Sequence, residues 1–130
     1  MSSNVTVLVV DDDRALVALI TSTLQDEGYT VLTAFNGQQG LNLARKIPPN
    51  VILMDLRMPV MDGGTCCRLL RETEGTKRIP VILMSADGAR EAIQTELGIR
   101  DGLRKPFDLE ELLRHVKNCA TLTGGTHLDI

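Results

Sequence analysis

Residues 51–63 read VILMDLRMPVMDG and decide how the rest of the chain can fold. The run at 51–54 is short, apolar and partly β-branched, which is typical of a strand buried on both faces of a parallel sheet. Asp55 follows this run directly, and Asp62 stands where its side chain can cap a helix. The stretch therefore predicts a strand that ends on a carboxylate and leads through a tight turn into a helix.

The same strand pattern recurs elsewhere in the chain. Residues 5–10 and 81–84 form comparable apolar runs, and weaker strands fit Thr30–Ala34 and residues 102–104 at the sheet edges. Amphipathic helical patterns separate the strands, the shortest and most polar at Ala89–Leu97. Five β-α repeats predict an α/β, doubly wound, flavodoxin-like fold, with a five-stranded parallel sheet of order 2-1-3-4-5 and five helices.

Length and composition fit a single soluble domain. The chain has 130 residues, 43% hydrophobic and 24% charged, with a formal net charge of −3. We expect an N-terminal extension at 1–4, one domain at 5–122, and a tail or the start of a linker at 123–130. Net acidity argues against direct nucleic-acid binding by this segment. No apolar run approaches the roughly 20 residues that span a membrane, and no signal peptide is evident, so a cytoplasmic location without a membrane partner is expected.

The cysteines predict neither a disulfide framework nor a zinc site. Cys66, Cys67 and Cys119 lack the CxxC spacing, and the chain has only two histidines, His115 and His127. Small, buried thiols are the simpler interpretation. His127 sits among glycines rather than on a helical bundle, so we do not assign it a phosphotransfer role.

Polar side chains follow the strands at one predicted edge of the sheet. They are Asp11, Asp12 and Asp13 after the first run, Asp55 after the second, Ser85 after the third and Lys105 after the fifth strand. Taken singly, an aspartate here can cap a helix, Ser85 can be a turn hydroxyl and Lys105 a solvated amine. Their coincidence at the carboxyl ends of parallel strands, where ligands bind in such sheets, predicts a functional site instead.

The chemistry of this cluster is restrictive. Neighbouring carboxylates repel one another unless a cation neutralises them, and an oxygen-only ligand set favours Mg²⁺. Asp55 is the natural nucleophile, because a carboxylate can attack phosphorus and form an acyl phosphate. Lys105 and the hydroxyl of Ser85 would then hold the phosphoryl oxygens in the transition state.

With these motifs in place, the chain resembles the response-regulator receiver domain of two-component signalling. The matching segments are VLVVDDD at 7–13, VILMDLRMPVMDG at 51–63, VILMSA at 81–86 and KPF at 105–107. They occur in the family's order and approximate spacing and span residues 5 to about 122. Four motifs in register make a chance match implausible.

The resemblance implies a role for each residue of the cluster. It makes Asp55 the phosphoacceptor, Asp11, Asp12, Asp55 and the backbone carbonyl of Arg57 the metal ligands, Ser85 the switch hydroxyl and Lys105 the phosphate-binding lysine. Asp12 would be a more direct ligand than Asp11. The Lys105–Pro106 bond corresponds to one that is usually cis in this family. The implied cofactor is Mg²⁺, with Mn²⁺ as a substitute.

The resemblance also implies the partners. The phosphoryl donor would be a histidine kinase or a histidine phosphotransfer protein, with small acyl phosphates as substitutes. The output would pass to a downstream effector protein or an attached output domain, and homodimerisation on phosphorylation is a further expectation. The domain would be a signalling receiver rather than an enzyme, catalysing only its own phosphotransfer and autodephosphorylation.

Two features depart from the family pattern or extend it. Gly102 stands three residues before Lys105, where the family usually has Tyr or Phe, so a coupled hydroxyl–aromatic switch is not expected. Arg57 and Asp87 lie two residues after the acceptor and after the switch hydroxyl. We hypothesise that they pair across the mouth of the site and affect the acyl-phosphate lifetime. The alternative is two solvated rim charges.

Two other functions are compatible with parts of the pattern. A haloacid-dehalogenase-like phosphatase would use Asp11 as its nucleophile, in an Asp11-x-Asp13 motif after the first strand. That interpretation gives residues 55–63 no role and normally requires a longer chain. A non-phosphorylated interaction module built on the same fold would be expected to lose some of the acids or Lys105, and this chain keeps them. The residue that a phosphoryl donor modifies separates the receiver from the phosphatase: Asp55 in a receiver, Asp11 in the phosphatase.

Overall fold

The computed structural model describes residues 5–86, 88–99 and 101–121. Strands and helices alternate along them, as the sequence predicts. The elements are β1 Thr6–Val10, α1 Arg14–Asp26, β2 Thr30–Ala34, α2 Gly37–Lys46, β3 Val51–Asp55, α3 Gly63–Arg71, β4 Val81–Ser85, α4 Ala89–Leu97, β5 Asp101–Arg104 and α5 Leu109–Ala120.

The five strands form one parallel sheet in the order β2-β1-β3-β4-β5. Every residue of β3 and β4 is buried, whereas β2 and β5 are partly exposed and lie at the two edges. This arrangement confirms the predicted fold and the assignment of the weaker strands to the edges. It also places the carboxyl ends of β1, β3 and β4 next to one another.

Helices cover both faces of the sheet and bury two separate apolar clusters. On one face, Leu41 of α2 and Leu70 of α3 belong to the same cluster as Met54 of β3. On the other face, Ile20 of α1 and Leu112 of α5 belong to a second cluster, which also includes strand residues of β1, β3, β4 and β5. Burial of this apolar surface is the main stabilising contribution to the fold.

Aspartates begin three of the helices, as their spacing predicts. The side chain of Asp13 accepts a hydrogen bond from the Leu16 amide at the start of α1. At the starts of α3 and α5, Asp62 and Asp108 likewise accept from the amide three residues further on. Of the neighbouring acids Asp12 and Asp13, it is therefore Asp13 that caps α1, which leaves Asp12 for another role. Each such cap contributes about 1 kcal/mol to helix stability.

All three cysteines are buried, in agreement with the sequence. Burial raises the pKa of the Cys66, Cys67 and Cys119 thiols to about 12, so they stay protonated at neutral pH. Among the described residues, the one cluster of metal-ligand side chains contains aspartates and no cysteine. His127 lies outside the described residues.

The predicted domain boundaries are not tested by the structure. Residues 1–4, residue 122 and the tail at 123–130 lie outside the described residues, so these limits stay predictions. Within the described part of the chain, no helix combines the length and the apolar character needed to cross a bilayer.

The turn between β3 and α3 holds the end of β3 against the helix. The Gly63 amide donates to the Leu56 carbonyl at 3.1 Å. A Cβ atom at Gly63 would lie 2.2 Å from the carbonyl oxygen of Asp55, far inside van der Waals contact. Within the same turn Val60 has a positive φ of 71°, an unfavourable conformation for a β-branched residue. The position of Asp55 therefore depends on a glycine at 63.

We predict that Gly63→Ala lowers the free energy of unfolding by about 2–3 kcal/mol, because the added methyl group collides with backbone that cannot move aside cheaply. Gly75→Ala is the matched control, since a Cβ atom there meets nothing within 4 Å. It should leave stability unchanged or raise it by up to about 1 kcal/mol. Urea unfolding of the two variants measures the difference, and equal losses in both would contradict the packing account.

Candidate functional site

The ends of neighbouring strands bring the predicted site residues together at one edge of the sheet. Asp11 follows β1 directly, Asp55 is the last residue of β3 and Ser85 the last residue of β4. The Lys105 amide donates to the Ser85 carbonyl at 2.8 Å, which continues the β4–β5 pairing to the lysine. The parallel register therefore produces the cluster that the sequence predicts.

The Lys105 ammonium lies between two buried carboxylates. Its Nζ is 2.7 Å from Oδ2 of Asp11 and 3.1 Å from Oδ1 of Asp55. The following Lys105–Pro106 bond is cis, as the family resemblance implied. Sequence reasoning placed Lys105 at the phosphoryl oxygens but missed its contact with Asp11. The signal for that contact was the need of crowded carboxylates for a cation.

Asp11 and Asp12 have different environments although they are adjacent. Asp11 is 0% exposed; its Oδ1 accepts from the Asp13 amide at 3.0 Å and its Oδ2 from Lys105. Asp12 is exposed to solvent. Asp11 thus orders the lysine and the start of α1, while the carboxylate of Asp12 remains open to a ligand from solvent.

The acidic residues are arranged as a hard cation would require. Asp11, Asp12 and Asp55 each place a carboxylate oxygen so that all three atoms lie within 4.8 Å of one another. The donor set contains only oxygen atoms, which Mg²⁺ prefers, and the exposed Asp12 side leaves room for the water molecules that Mg²⁺ retains. The residues present therefore fit Mg²⁺. Arg57, whose backbone carbonyl is a further predicted ligand, is exposed two residues beyond Asp55.

The pKa of Asp55 is raised from its ordinary value. Burial is the largest cause, followed by the nearby charge of Asp11, and Lys105 opposes both by pairing with the carboxylate. For Lys105, burial alone would lower the pKa of the ammonium. The hydrogen bond and charge of Asp11, followed by those of Asp55, outweigh that burial and raise the pKa. The lysine therefore stays charged, and the site retains an unfavourable excess of buried negative charge.

The remaining predicted residues are only partly placed by the structure. Ser85 is buried at the same edge of the sheet as Asp55. Asp87 lies outside the described residues, so the hypothesis that it pairs with Arg57 stays a prediction. Gly102 lies in β5 beneath the side chains of Arg90 and Gln94 of α4.

Two features near this edge of the sheet were not predicted from the sequence: a cation–aromatic contact and an apolar cleft. The Arg14 guanidinium lies 3.9 Å above the ring centroid of Phe35, just after β2. An apolar cleft of about 290 Å³ is lined by Leu16, Ala86, Lys105, Pro106 and Phe107. No local sequence pattern predicts the contact or the cleft, because each is formed by segments that are far apart in the sequence.

Comparison with known proteins gives consistent matches to one family. Residues 7–117 match the family model of the response regulator receiver domain. The chain is 41% identical over 113 residues to the DNA-binding dual master transcriptional regulator RpaA of Synechocystis sp., covering 85% of this chain and 47% of that protein. It is 43% identical over 114 residues to the response regulator PleD of Caulobacter vibrioides, covering 86% and 25%. The chain thus spans between a quarter and a half of these relatives.

Solved structures match over nearly the whole chain. The chemotaxis protein CheY4 of Vibrio cholerae has a TM-score of 0.84 and 31% identity, covering 90% of this chain and 99% of that one. The receiver domain of the sensor histidine kinase PA1611 of Pseudomonas aeruginosa has a TM-score of 0.81 and 33% identity, covering 89% and 97%. That second structure is described with a magnesium ion coordinated in its active-site cleft.

We predict that Asp55→Asn stabilises the protein by about 1 kcal/mol at pH 7.5 without divalent cations, because it removes a buried charge that its neighbours only partly compensate. The folded-state pKa of Asp55 lies above the unfolded value of 3.8, so ionisation opposes folding as the pH rises above that value. The gain should therefore shrink as the pH is lowered towards the unfolded-state value of 3.8. Urea unfolding across this pH range measures it.

The same variant also tests the metal. Mg²⁺ at about ten times its dissociation constant should stabilise the wild-type protein by about 1.4 kcal/mol and Asp55→Asn by much less. Asp26→Asn, at the exposed end of α1, is the control for loss of one negative charge. A gain in Asp26→Asn equal to that in Asp55→Asn, or equal stabilisation of both variants by Mg²⁺, would count against a cation site at Asp55.

Proposed function

The chain belongs to the response-regulator receiver domain family, and on that premise we propose that Asp55 accepts a phosphoryl group in a Mg²⁺-dependent reaction and so switches partner binding or oligomeric state. The observation that carries this proposal is the position of the Lys105 ammonium between the carboxylates of Asp11 and Asp55. A cation held at the nucleophile by a second, buried acid is suited to receive the charge of an incoming phosphoryl group.

In the proposed reaction, a carboxylate oxygen of Asp55 attacks the phosphorus of a phosphohistidine. A P–O bond forms, the P–N bond breaks, and the imidazole nitrogen keeps the electron pair and takes a proton from solvent. Lys105 would turn from Asp55 to a phosphoryl oxygen while it keeps its contact with Asp11, and the Ser85 hydroxyl would bind another oxygen. The raised pKa of Lys105 keeps its charge available throughout.

Asp11, Asp12, Asp55 and the backbone carbonyl of Arg57 would hold the metal. When bound, Mg²⁺ neutralises charge on the phosphoryl oxygens, and Mn²⁺, with similar oxygen preference, would substitute for it. Asp12 would be the more direct ligand, because its carboxylate is exposed while both oxygens of Asp11 already accept hydrogen bonds. Arg57 and Asp87 would pair across the mouth of the site and affect the lifetime of the acyl phosphate.

The donor we propose is a histidine kinase or a histidine phosphotransfer protein, with small acyl phosphates as substitutes. The apolar cleft beside Lys105, which includes Pro106 and Phe107, supports a protein donor, because a small anion needs no such surface. PA1611 is described as a sensor histidine kinase with a receiver domain, which links this fold to such a donor.

The output we propose acts through an effector protein or an attached output domain. RpaA is described as DNA-binding, and the chain covers 47% of it, so nucleic-acid binding in this relative need not involve the matching segment. We therefore propose no direct nucleic-acid contact for this chain. Homodimerisation on phosphorylation and a cytoplasmic location stay predictions.

The phosphatase alternative receives no support from the comparisons. Its proposed nucleophile, Asp11, is fully buried and both of its oxygens already accept hydrogen bonds. A nucleophile needs a free oxygen with access to the substrate phosphorus. The geometry favours Asp55, at 5% exposure, over Asp11.

We predict that acetyl phosphate with Mg²⁺ labels the protein at Asp55. Trapping the acyl phosphate with borohydride and mapping the peptide identifies the residue. Asp55→Asn and chelation of divalent cations should each abolish labelling, and Lys105→Met should slow it by about 100-fold, the loss typical for one electrostatic contact to a developing charge.

Asp26→Asn serves again as the charge-matched control and should label at the wild-type rate. Modification of Asp11, or labelling that persists in Asp55→Asn, would refute the assignment of the acceptor. Labelling at Asp55 that does not need a divalent cation would refute the metal requirement alone.

A further inference from the structure

Helix α4 is attached to the domain differently from the other helices. None of its nine residues, all of which the structure describes, is buried, whereas each of the other four helices buries at least three. Its apolar residues Ala89, Ile93 and Leu97 are only partly buried against the core. Elements with few buried apolar contacts are displaced most easily, so the position of α4 depends strongly on side-chain contacts at its surface.

One of these contacts places Arg90 over Gly102. A Cβ atom at Gly102 would lie 2.6 Å from Nη1 and 2.8 Å from Cδ of Arg90, and 2.6 Å from Oε1 of Gln94. The side chain of Arg90 is only 20% exposed and donates from Nη1 to Oε1 of Gln94 at 3.2 Å. Gln94 in turn donates from Nε2 to the Ile99 carbonyl at 3.2 Å. The absence of a side chain at Gly102 thus leaves room for the Arg90 and Gln94 side chains to lie over β5.

A second contact, between α4 and α3, is an ion pair exposed to solvent. Arg68 of α3 pairs with Glu96 through two hydrogen bonds of 2.8 and 2.9 Å. Both side chains are well exposed, at 41% and 50%, so solvent screens this pair and its contribution to stability is small. The Arg90 side chain is more shielded from water than that of Arg68, but its hydrogen bonds to Gln94 and Glu91 stay within α4, so its contact with β5 is one of packing over Gly102.

The Arg90 contact is also connected to the site through both strands. Gly102 pairs with Leu83 of β4, two residues before Ser85. Lys105 is the third residue after Gly102, and its amide is bonded to the Ser85 carbonyl. The surface under Arg90 and the strand ends at Ser85 and Lys105 therefore belong to the same pair of hydrogen-bonded strands.

We propose that Arg90 is a positioning residue that latches α4 onto β5 through Gly102 while the Asp55 carboxylate is unmodified, and that a phosphoryl group at Asp55 releases this latch. The inference rests on the proposed function of Asp55. The latch is observed together with direct contact between Lys105 and Asp55. A phosphoryl group would require Lys105 and Ser85 to contact its oxygens instead, and the resulting shift of β4 and β5 would move the Gly102 surface on which Arg90 lies.

Linkage gives this proposal a measurable consequence. If the latch stabilises the conformation with an unmodified Asp55, then any change that weakens the latch must tighten binding of a phosphoryl mimic by the same factor. A residue with a purely structural role would lower stability without changing that affinity. The affinity therefore separates the two roles.

The experiment uses beryllofluoride with Mg²⁺ as the mimic, titrated by NMR, together with amide hydrogen exchange of residues 88–99. We expect Arg90→Ala to bind the mimic about three- to ten-fold more tightly than the wild type, in the range of couplings measured between linked sites. Without the mimic, α4 should exchange faster in this variant. Gly102→Ala should behave alike, because its methyl group expels Arg90. Arg90→Lys should be intermediate, since its stem fills part of the space.

Arg114→Ala, at an exposed arginine of α5, is the matched control and should match the wild type. The double variant Arg90→Ala/Gly102→Ala should bind no more tightly than either single variant, because both remove one contact. An affinity of Arg90→Ala equal to that of Arg114→Ala, or additive effects in the double variant, would overturn the latch.

The result also distinguishes the latch from the function on which it rests. If the wild type does not bind the mimic, or if Asp55→Asn binds it equally well, the proposed function fails and the latch fails with it. If the wild type binds the mimic through Asp55 while the Arg90 and Gly102 variants keep the wild-type affinity, the latch alone is wrong.

Discussion

The arrangement of the site depends on one electrostatic constraint, the burial of two carboxylates at the ends of adjacent strands. Asp11 and Asp55 are 0% and 5% exposed, and a pair of buried acids is unfavourable without a cation. Lys105, directly after the edge strand β5, supplies that charge: its Nζ lies 2.7 Å from Oδ2 of Asp11 and 3.1 Å from Oδ1 of Asp55. The end of β5 is thereby linked across β4 to the ends of β1 and β3.

This constraint also explains why the edge suits phosphoryl transfer. One ammonium does not neutralise Asp11, Asp12 and Asp55, so the proposed binding of a further hard cation would offset the remaining charge. Burial, followed by the nearby negative charge of Asp11, raises the pKa of Asp55. A divalent cation would relieve that excess, and the shared lysine would then be free to follow the charge of the phosphoryl group. In the proposed reaction, the binding of the cation and the movement of Lys105 would both depend on this excess of negative charge.

Local sequence patterns predicted most of this arrangement. The apolar runs ending on Asp55 and Ser85 specified strands whose ends must meet, because parallel strands place their carboxyl ends at one edge. The caps at Asp62 and Asp108 followed from helical spacing. Such features depend on a few neighbouring residues, which is why one sequence suffices to predict them.

Contacts between distant segments were not predictable in this way. The bond from Lys105 to Asp11 joins residues 94 positions apart, and no local pattern specifies it. The family resemblance singled out Gly102 as a departure from the usual aromatic residue, yet the sequence did not show that Arg90 and Gln94 fill the space above it. Side-chain paths of this kind depend on how α4 packs against β5, which only the folded structure determines.

The central claim is that Lys105 is shared between Asp11 and Asp55 and follows the charge when Asp55 is modified. A crystal structure of the protein with Mg²⁺ and beryllofluoride tests it most directly. The account predicts an adduct on Asp55, with the Lys105 ammonium within hydrogen-bonding distance of a fluorine atom and still bonded to Asp11. An adduct whose fluorine atoms make no contact with Lys105, or a lysine that has left Asp11, would contradict it.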